Sequence, residues 1–286
     1  IYAVPRKGYY VCNLPSNLPR RNQTASNPLD NNAVRINRED EEPPSDLVAD
    51  FSHPTLSANS PAAQLWGKTL RNTLAHEPQS ELFCSQPAQG SKRLRNAIAC
   101  YLSQARGMSI SPDCVVIGAG AQMLYTYVSL LFGANAPIAL ENPGYPRLKG
   151  IYSALGHDIC PIDLDGDGIG VFQLERSRAQ IAHVMPSHQF PTGRVMSISR
   201  RYELLGWASR RPERYIVEDD YDWEFRFAGK PIPSLESIDI KSKVIYISTF
   251  SKSLSSALRV AFAILPPALM ERFESKLGFL TSTVSA

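Results

Sequence analysis

The sequence predicts an α/β domain, a mainly parallel β-sheet with helices on both faces. Three observations carry that prediction. Short apolar, β-rich runs alternate with helical ones along most of the chain. Apolar strands separated by helices imply a sheet buried on both sides. The residues able to do chemistry follow those runs, where a parallel sheet presents its carboxyl edge to ligands.

The elements follow in order. Tyr9-Tyr10-Val11, after Arg6-Lys7-Gly8, reads as the second strand of a small hairpin. From Asn13 to about Leu47 the chain turns to Asn, Pro, Ser, Asp and Glu, and Arg38-Glu39-Asp40-Glu41-Glu42-Pro43-Pro44 offers little to bury. Residues 15–47 are therefore expected to be a linker. Leu94, Ile98, Tyr101, Leu102 and Ala105 recur at helical spacing after a Ser91 cap, and Gly107 closes that segment. Strands are expected at Cys114 to Ile117, Pro137 to Leu140, Ile159 to Leu164, Ile181 to Met185, Tyr215 to Val217 and Val244 to Ser248. Helices are expected between several of them, at Ala121 to Phe132, Pro146 to Leu155 and Ser199 to Arg210. The chain opens on Ile1 rather than Met and stops at Ser285-Ala286, so a fragment of a longer protein is expected.

Composition bounds the function. The chain has 286 residues, 43% hydrophobic and 20% charged, ordinary values for a globular protein with a sizeable core. A net charge of +3 is too slight to argue for nucleic acid by itself. The five cysteines include no CxxC pair; reduced thiols and a cytoplasmic setting are the expectation. No apolar run approaches the roughly 18 residues of a membrane span, and no basic start precedes an apolar signal core.

Four segments follow expected strands. Gly118-Ala119-Gly120-Ala121-Gln122 opens a helix, whose first N–H groups and positive dipole end can cradle a phosphate. Glu141-Asn142-Pro143-Gly144-Tyr145-Pro146-Arg147 puts an aromatic ring and an arginine on a turn. Val217-Glu218-Asp219-Asp220-Tyr221-Asp222 puts carboxylates at a strand end. Ser248-Thr249-Phe250-Ser251-Lys252-Ser253-Leu254, followed by Arg259, sets a lone lysine in a hydroxyl-rich loop. Together they supply what pyridoxal phosphate needs: an amine nucleophile, a carboxylate for the ring nitrogen, a phenol for the ring hydroxyl, and a stacking ring. Hydroxyls, backbone amides and an arginine remain for the phosphate.

From about Asp50 to Leu280 the chain resembles the aminotransferase-like domain of MocR-type regulators, in which a GntR-class winged helix-turn-helix precedes a fold-type-I pyridoxal-phosphate domain. The motifs are Gly90-x-x-x-Leu94-Arg95 with Tyr101-Leu102 and Arg106-Gly107, Pro186-Ser187-His188-Gln189-Phe190-Pro191-Thr192-Gly193, Glu218-Asp219-Asp220-Tyr221-Asp222-x-Glu224-Phe225-Arg226, and Thr249-Phe250-Ser251-Lys252. Ordinary aminotransferases usually have Asn where Phe190 stands. The resemblance implies that Lys252 binds the cofactor covalently, that Asp219 pairs with the pyridine nitrogen, that Tyr221 approaches the ring oxygen and that Tyr145 stacks on the ring. It places Gly120, Ala121, Gln122, Thr249, Ser251 and Arg259 around the phosphate. Arg147 is implied to hold an effector carboxylate, and His188 is a candidate for the pocket lining. Ser256 and Ala261 depart from the family, which tends to have Pro and Gly there. Val4-Pro5-Arg6-Lys7-Gly8-Tyr9-Tyr10-Val11 looks like the wing of the DNA-binding domain. The expected division is therefore a wing remnant at 1–14, the linker at 15–47, and the pyridoxal-phosphate domain at 48–286 without its small C-terminal domain.

Some patterns read otherwise. Asp163-Leu164-Asp165-Gly166-Asp167-Gly168 imitates a calcium loop, but Leu174 stands where the glutamate ligand belongs, so a tight turn and no metal are expected. Glu218, Asp220, Asp222 and Glu224 are read as structural or surface groups, His183 as a satisfied core or edge residue, and Arg200, Arg201, Arg210 and Arg211 as a solvated face. Two functions share the same cofactor residues. One is a transcriptional regulator sensing an amino compound and reaching DNA through an N-terminal domain. The other is a working class I/II aminotransferase. A homodimer is expected from the resemblance.

Overall fold

The computed structural model describes residues 2–4, 8–10, 61–225 and 232–285. These fall into two units, one within 1–53 and one within 54–286. In the first, β1 (Tyr2–Val4) and β2 (Gly8–Tyr10) pair antiparallel, with Tyr2 opposite Tyr10 and Val4 opposite Gly8. The hairpin expected at the start is therefore present. The expected linker at 15–47 lies outside the described residues.

The second unit is built on a seven-stranded sheet. Its strands are β3 (Val115–Gly118), β4 (Ile138–Asn142), β5 (Ile159–Asp163), β6 (Ile181–Val184), β7 (Tyr215–Asp219), β8 (Val244–Thr249) and β9 (Ala261–Ile264). The order across the sheet is β3-β9-β8-β7-β6-β4-β5. Neighbours from β5 to β8 run parallel, and β9 is antiparallel to both β8 and β3. The mainly parallel sheet is confirmed, and a single reversed strand is added to it. That reversal has a consequence for the site: the residues that enter β9 lie at the edge where the other strands end.

Helices cover both faces, and strand alternation decides which residue meets which helix. On one face Ile138, Leu140, Ile181, Val217, Ile245 and Ile247 join α4 (Ala121–Phe132), α5 (Pro146–Ala154) and α8 (Pro267–Leu277) in one buried cluster. On the other, Ala139, Ala182, Val184, Ile216 and Val244 meet α6 (Val171–Arg176) and α7 (Ile198–Ser209), with Trp207 fully buried between them. Each buried Val, Leu or Ile among them contributes on the order of 1.5–3 kcal/mol of transfer free energy. The helix α3 (Lys92–Arg106) buries Ile98, Ala99 and Leu102 and ends on Gly107, whose φ of 68° lies in the left-handed region.

The earlier part of the unit holds α1 (Pro61–His76) and the short α2 (Gln79–Leu82), which the sequence pattern does not announce. None of their residues is buried, so the inward apolar stripe that marks a core helix is missing. No described helix is long and apolar enough to cross a membrane.

Candidate cofactor site

Three strands in register assemble one end of the site. Gly118 of β3 and Thr249 of β8 both lie opposite Ala261, the first residue of β9. The loops leaving β3 and β8 and the loop entering β9 therefore meet at one place. Arg259 sits just before β9 with φ 53°, and its Nη2 donates to the carbonyl of Ala119 at 3.3 Å. Gly120 has φ 83°, and a Cβ there would lie 2.7 Å from Nη2 of Arg259. Glycine is thus required twice, for the backbone angle and for the guanidinium. The Thr249 and Ser251 hydroxyls are 2.8 Å apart, and the Ser251 N–H donates to Thr249 Oγ1 at 3.1 Å. The helix α4 begins at Ala121, so its first N–H groups point into the same cup. A cation, two hydroxyls and free amides in one cup suit a dianionic phosphate.

Lys252 lies in the turn after β8 and is exposed. Its charge favours the ionised form of Asp222, against burial that raises the pKa of that carboxyl. The turn is backed by aromatic rings: Phe250 lies 6.2 Å from Tyr101 and 5.6 Å from Phe262 between centroids.

The opposite end is made of buried side chains. Asp219, last residue of β7, shares a sheet face with Val217 and so points towards α4. Its Oδ2 accepts from the Tyr125 hydroxyl at 2.5 Å and lies 3.5 Å from His183 Nε2. Its Oδ1 is buried and has no hydrogen-bond partner among the described residues. A buried carboxylate oxygen left without a donor is unfavourable by itself and suits a protonated ring nitrogen.

The other acids face elsewhere. Glu218, fully buried, accepts from the N–H groups of Leu235 and Glu236 at 2.8 and 3.0 Å and lies 3.6 Å from Arg201. Asp220 accepts from Arg106 and, at 2.9 Å, from the Tyr246 hydroxyl. Glu224 accepts from Tyr101. Asp222 sits 2.8 Å from His188 Nδ1. Arg201 is not solvated: it is fully buried and donates to the carbonyls of Met196, Pro186 and Pro233. Arg200 binds Asp165 at 2.8 Å, so the calcium-like loop has an arginine on its middle carboxylate.

Comparison with known proteins agrees with this geometry. Residues 54–286 match the family Aminotransferase class I and II. The chain belongs to that family. Among curated relatives it is 38% identical to the uncharacterized HTH-type transcriptional regulator YdeL of Bacillus subtilis (strain 168), over 82% of this chain and 50% of that one. It is 32% identical to the probable rhizopine catabolism regulatory protein MocR of Rhizobium meliloti, over 73% of this chain and 42% of that one. The chain thus spans about half the length of the curated relatives it matches. Among solved structures it resembles LysN, an α-aminoadipate aminotransferase of Thermus thermophilus complexed with N-(5′-phosphopyridoxyl)-L-leucine. That match has 29% identity and a TM-score of 0.64, covering 76% of this chain and 55% of LysN.

Within this aminotransferase-family domain the sequence-derived candidates fall into three groups. Gly120, Ala121, Thr249, Ser251 and Arg259 are brought together around the cup. Tyr145 meets Phe190 edge-on at 5.4 Å, and Tyr221 donates its hydroxyl to the His188 carbonyl at 3.0 Å. The Tyr221 hydroxyl therefore rests on a backbone oxygen in this structure. Gln122 and Arg147 are exposed near the starts of α4 and α5, and no side-chain hydrogen bond or ion pair among the described residues ties them to the rest. Sequence reasoning misses two residues. Tyr125 looks like one more apolar position of α4, and His183 like a satisfied core histidine. His183 is buried with Nδ1 3.0 Å from the Tyr152 hydroxyl, yet its Nε2 has no hydrogen bond among the described residues and faces Asp219. His183 lies opposite Val217 in the parallel pairing of β6 with β7, and this register puts it on the same sheet face as Asp219.

Proposed function

We propose that this chain is the pyridoxal-phosphate-binding, amine-sensing part of a MocR-type transcriptional regulator. The observation that carries the cofactor reading is the buried Oδ1 of Asp219, which has no hydrogen bond among the described residues, together with a cup suited to an anion. The regulator reading is supported by the kinship with HTH-type regulators and by the hairpin at Tyr2–Tyr10, read as the end of a wing. On this reading, residues 1–14 close a DNA-binding domain, 15–47 link it, and 48–286 hold the cofactor.

When bound, pyridoxal phosphate supplies an electron-accepting ring and a carbonyl carbon that amines attack. The residues of this chain do the rest. Arg259, Thr249, Ser251 and the Gly120–Gln122 backbone hold the phosphate; Tyr145 covers one face of the ring. Asp219 keeps a proton on the ring nitrogen. The Lys252 amine would be the group that links the cofactor covalently, and competition for that position by an incoming amine would be the event that is sensed. Tyr221, whose hydroxyl donates to the His188 carbonyl, would be the phenol for the ring oxygen. Arg147 and His188 stand where the rest of an amino compound can be read. A ligand that shifts two head arrangements needs only a few kcal/mol of differential affinity, since about 1.4 kcal/mol is tenfold in population.

The likeness to LysN favours a second reading, a working aminotransferase. The deciding experiment titrates amino compounds against the full-length protein on its own promoter and follows amino-group transfer to a keto acid in parallel. The regulator reading expects changed DNA affinity or bending, abolished by Lys252→Ala, with slow transfer. Rapid transfer with no effect on DNA for any amine supports the enzyme instead.

A further inference from the structure

Behind Asp219 lies a polar cluster that the cofactor reading does not use. Asp219 Oδ2 accepts from Tyr125 at 2.5 Å and is approached by His183 Nε2 at 3.5 Å. His183 Nδ1 is in turn 3.0 Å from the Tyr152 hydroxyl, and the Tyr125 ring meets the imidazole edge-on at 5.2 Å. Tyr125 comes from α4 and His183 from β6, so two elements approach one oxygen, with Tyr152 of α5 behind the imidazole, while Oδ1 has no hydrogen bond among the described residues.

We propose that Tyr125 and His183 are positioning residues that hold Asp219 by one oxygen and so present the other to the cofactor's ring nitrogen. The inference rests on the cofactor reading above.

The physical reasons are two. A carboxylate held at one oxygen by a buried donor cannot turn about its last bond, so the second oxygen keeps a fixed direction. With Oδ2 taken up by the Tyr125 hydroxyl, Oδ1 is also the oxygen that lacks a donor among the described residues and is left to accept from the ring nitrogen. Tyr125 is suited to donate because burial and the adjacent Asp219 charge keep its phenol protonated. It also lies one turn beyond Ala121 in α4, about 6 Å along the axis. One helix would therefore hold the phosphate with its first turn, while its second turn holds Asp219 through Tyr125.

The test uses the full-length protein and pyridoxal phosphate labelled with nitrogen-15 in the ring. Borohydride is first used to fix the cofactor to Lys252 in the wild type; failure there overturns the cofactor reading and this inference with it. Given that linkage, Tyr125→Phe and His183→Phe are compared for cofactor Kd and for the nitrogen-15 shift, which reports ring protonation directly. Tyr127→Phe, on the same helix, is the control, because its hydroxyl binds Thr283 and not Asp219. The expectation is a Kd raised about tenfold in Tyr125→Phe and severalfold in His183→Phe, with the shift moving towards the unprotonated value in both. Kd within twofold of wild type and an unmoved shift in both variants would overturn the proposal. So would equal effects in Tyr127→Phe, which would mark a general disturbance of α4.

Discussion

The two ends of the site are built from different materials. The proposed phosphate cup is backbone and short hydroxyls on loops, with an exposed arginine and lysine; the proposed ring-nitrogen end is a set of buried side chains on strands and a helix. The cup gets its shape from strand register and one glycine; the nitrogen end gets its shape from packing. A change in the cup can therefore be partly absorbed by flexible exposed groups. A change at the nitrogen end leaves a buried charge or donor with nothing to do, and water is not at hand to replace it.

The sharpest way to break this contrast is Asp219→Asn. It keeps the shape and removes the charge, and losing one partner of a buried charged pair is worth about 3 kcal/mol or more. Cofactor Kd is expected to rise at least about 100-fold by equilibrium dialysis or absorbance titration. The neighbouring Asp220→Asn should instead lower thermal stability, because Asp220 anchors Arg106 and Tyr246, and should leave cofactor Kd within a few-fold. If Asp220→Asn has the larger effect on Kd, the ring nitrogen is held by the other face of the sheet.

Glu141 sharpens the contrast through pH. It lies buried in β4, accepts from the Met185 N–H at 3.2 Å, and leaves Oε1 without a hydrogen bond among the described residues. Burial pushes its pKa from 4.5 up to about 7, with the charge of Asp219 adding to the shift. The folded state thus holds a proton that the unfolded chain has already lost. The Glu141 contribution to stability is full below about 4.5 and is lost as pH rises through about 7, by roughly 3 kcal/mol in all. Glu141→Gln removes that dependence. Urea unfolding at pH 5 and pH 8 is expected to show the variant gaining on the wild type by about 2–3 kcal/mol at the higher pH. An identical difference at both pH values would mean that Glu141 is not a proton-holding buried group.

The same contrast explains how much of the molecule is legible in its sequence. Strands β3 to β8 and helices α3, α4, α5 and α7 are visible because their apolar runs have a clear period. The strand β9, a run of only Ala261-Phe262-Ala263-Ile264, is too short to stand out, and the helix α1 lacks a buried stripe. The cup is legible because glycine, hydroxyls and arginine near strand ends have few other reasons to cluster. Asp219 is legible only through resemblance, since the run Glu218-Asp219-Asp220 gives no composition-based reason to choose the middle acid. Tyr125 and His183 are not legible at all: a tyrosine in an apolar helix and a histidine in a strand look like core. Their role depends on which sheet face each residue takes, and that needs the register.

The smallest of the expected effects tests the cup. Gly120→Ala asks for a φ of 83° from a residue with a Cβ, which disfavours the left-handed region by about 1–2 kcal/mol. The added methyl would also stand 2.7 Å from Arg259 Nη2, but the guanidinium is the far end of an exposed, flexible side chain and can swing away. Moving it breaks the 3.3 Å contact to the Ala119 carbonyl and takes one cation out of the cup. The expected outcome is a modest stability loss and a cofactor Kd raised roughly tenfold, well short of Asp219→Asn. Inorganic phosphate, as a competitor for the cup alone, should lose affinity in Gly120→Ala and keep it in Asp219→Asn. The two ends are distinct only if that crossover appears; a loss of phosphate affinity in both variants would mean that the buried end also shapes the cup.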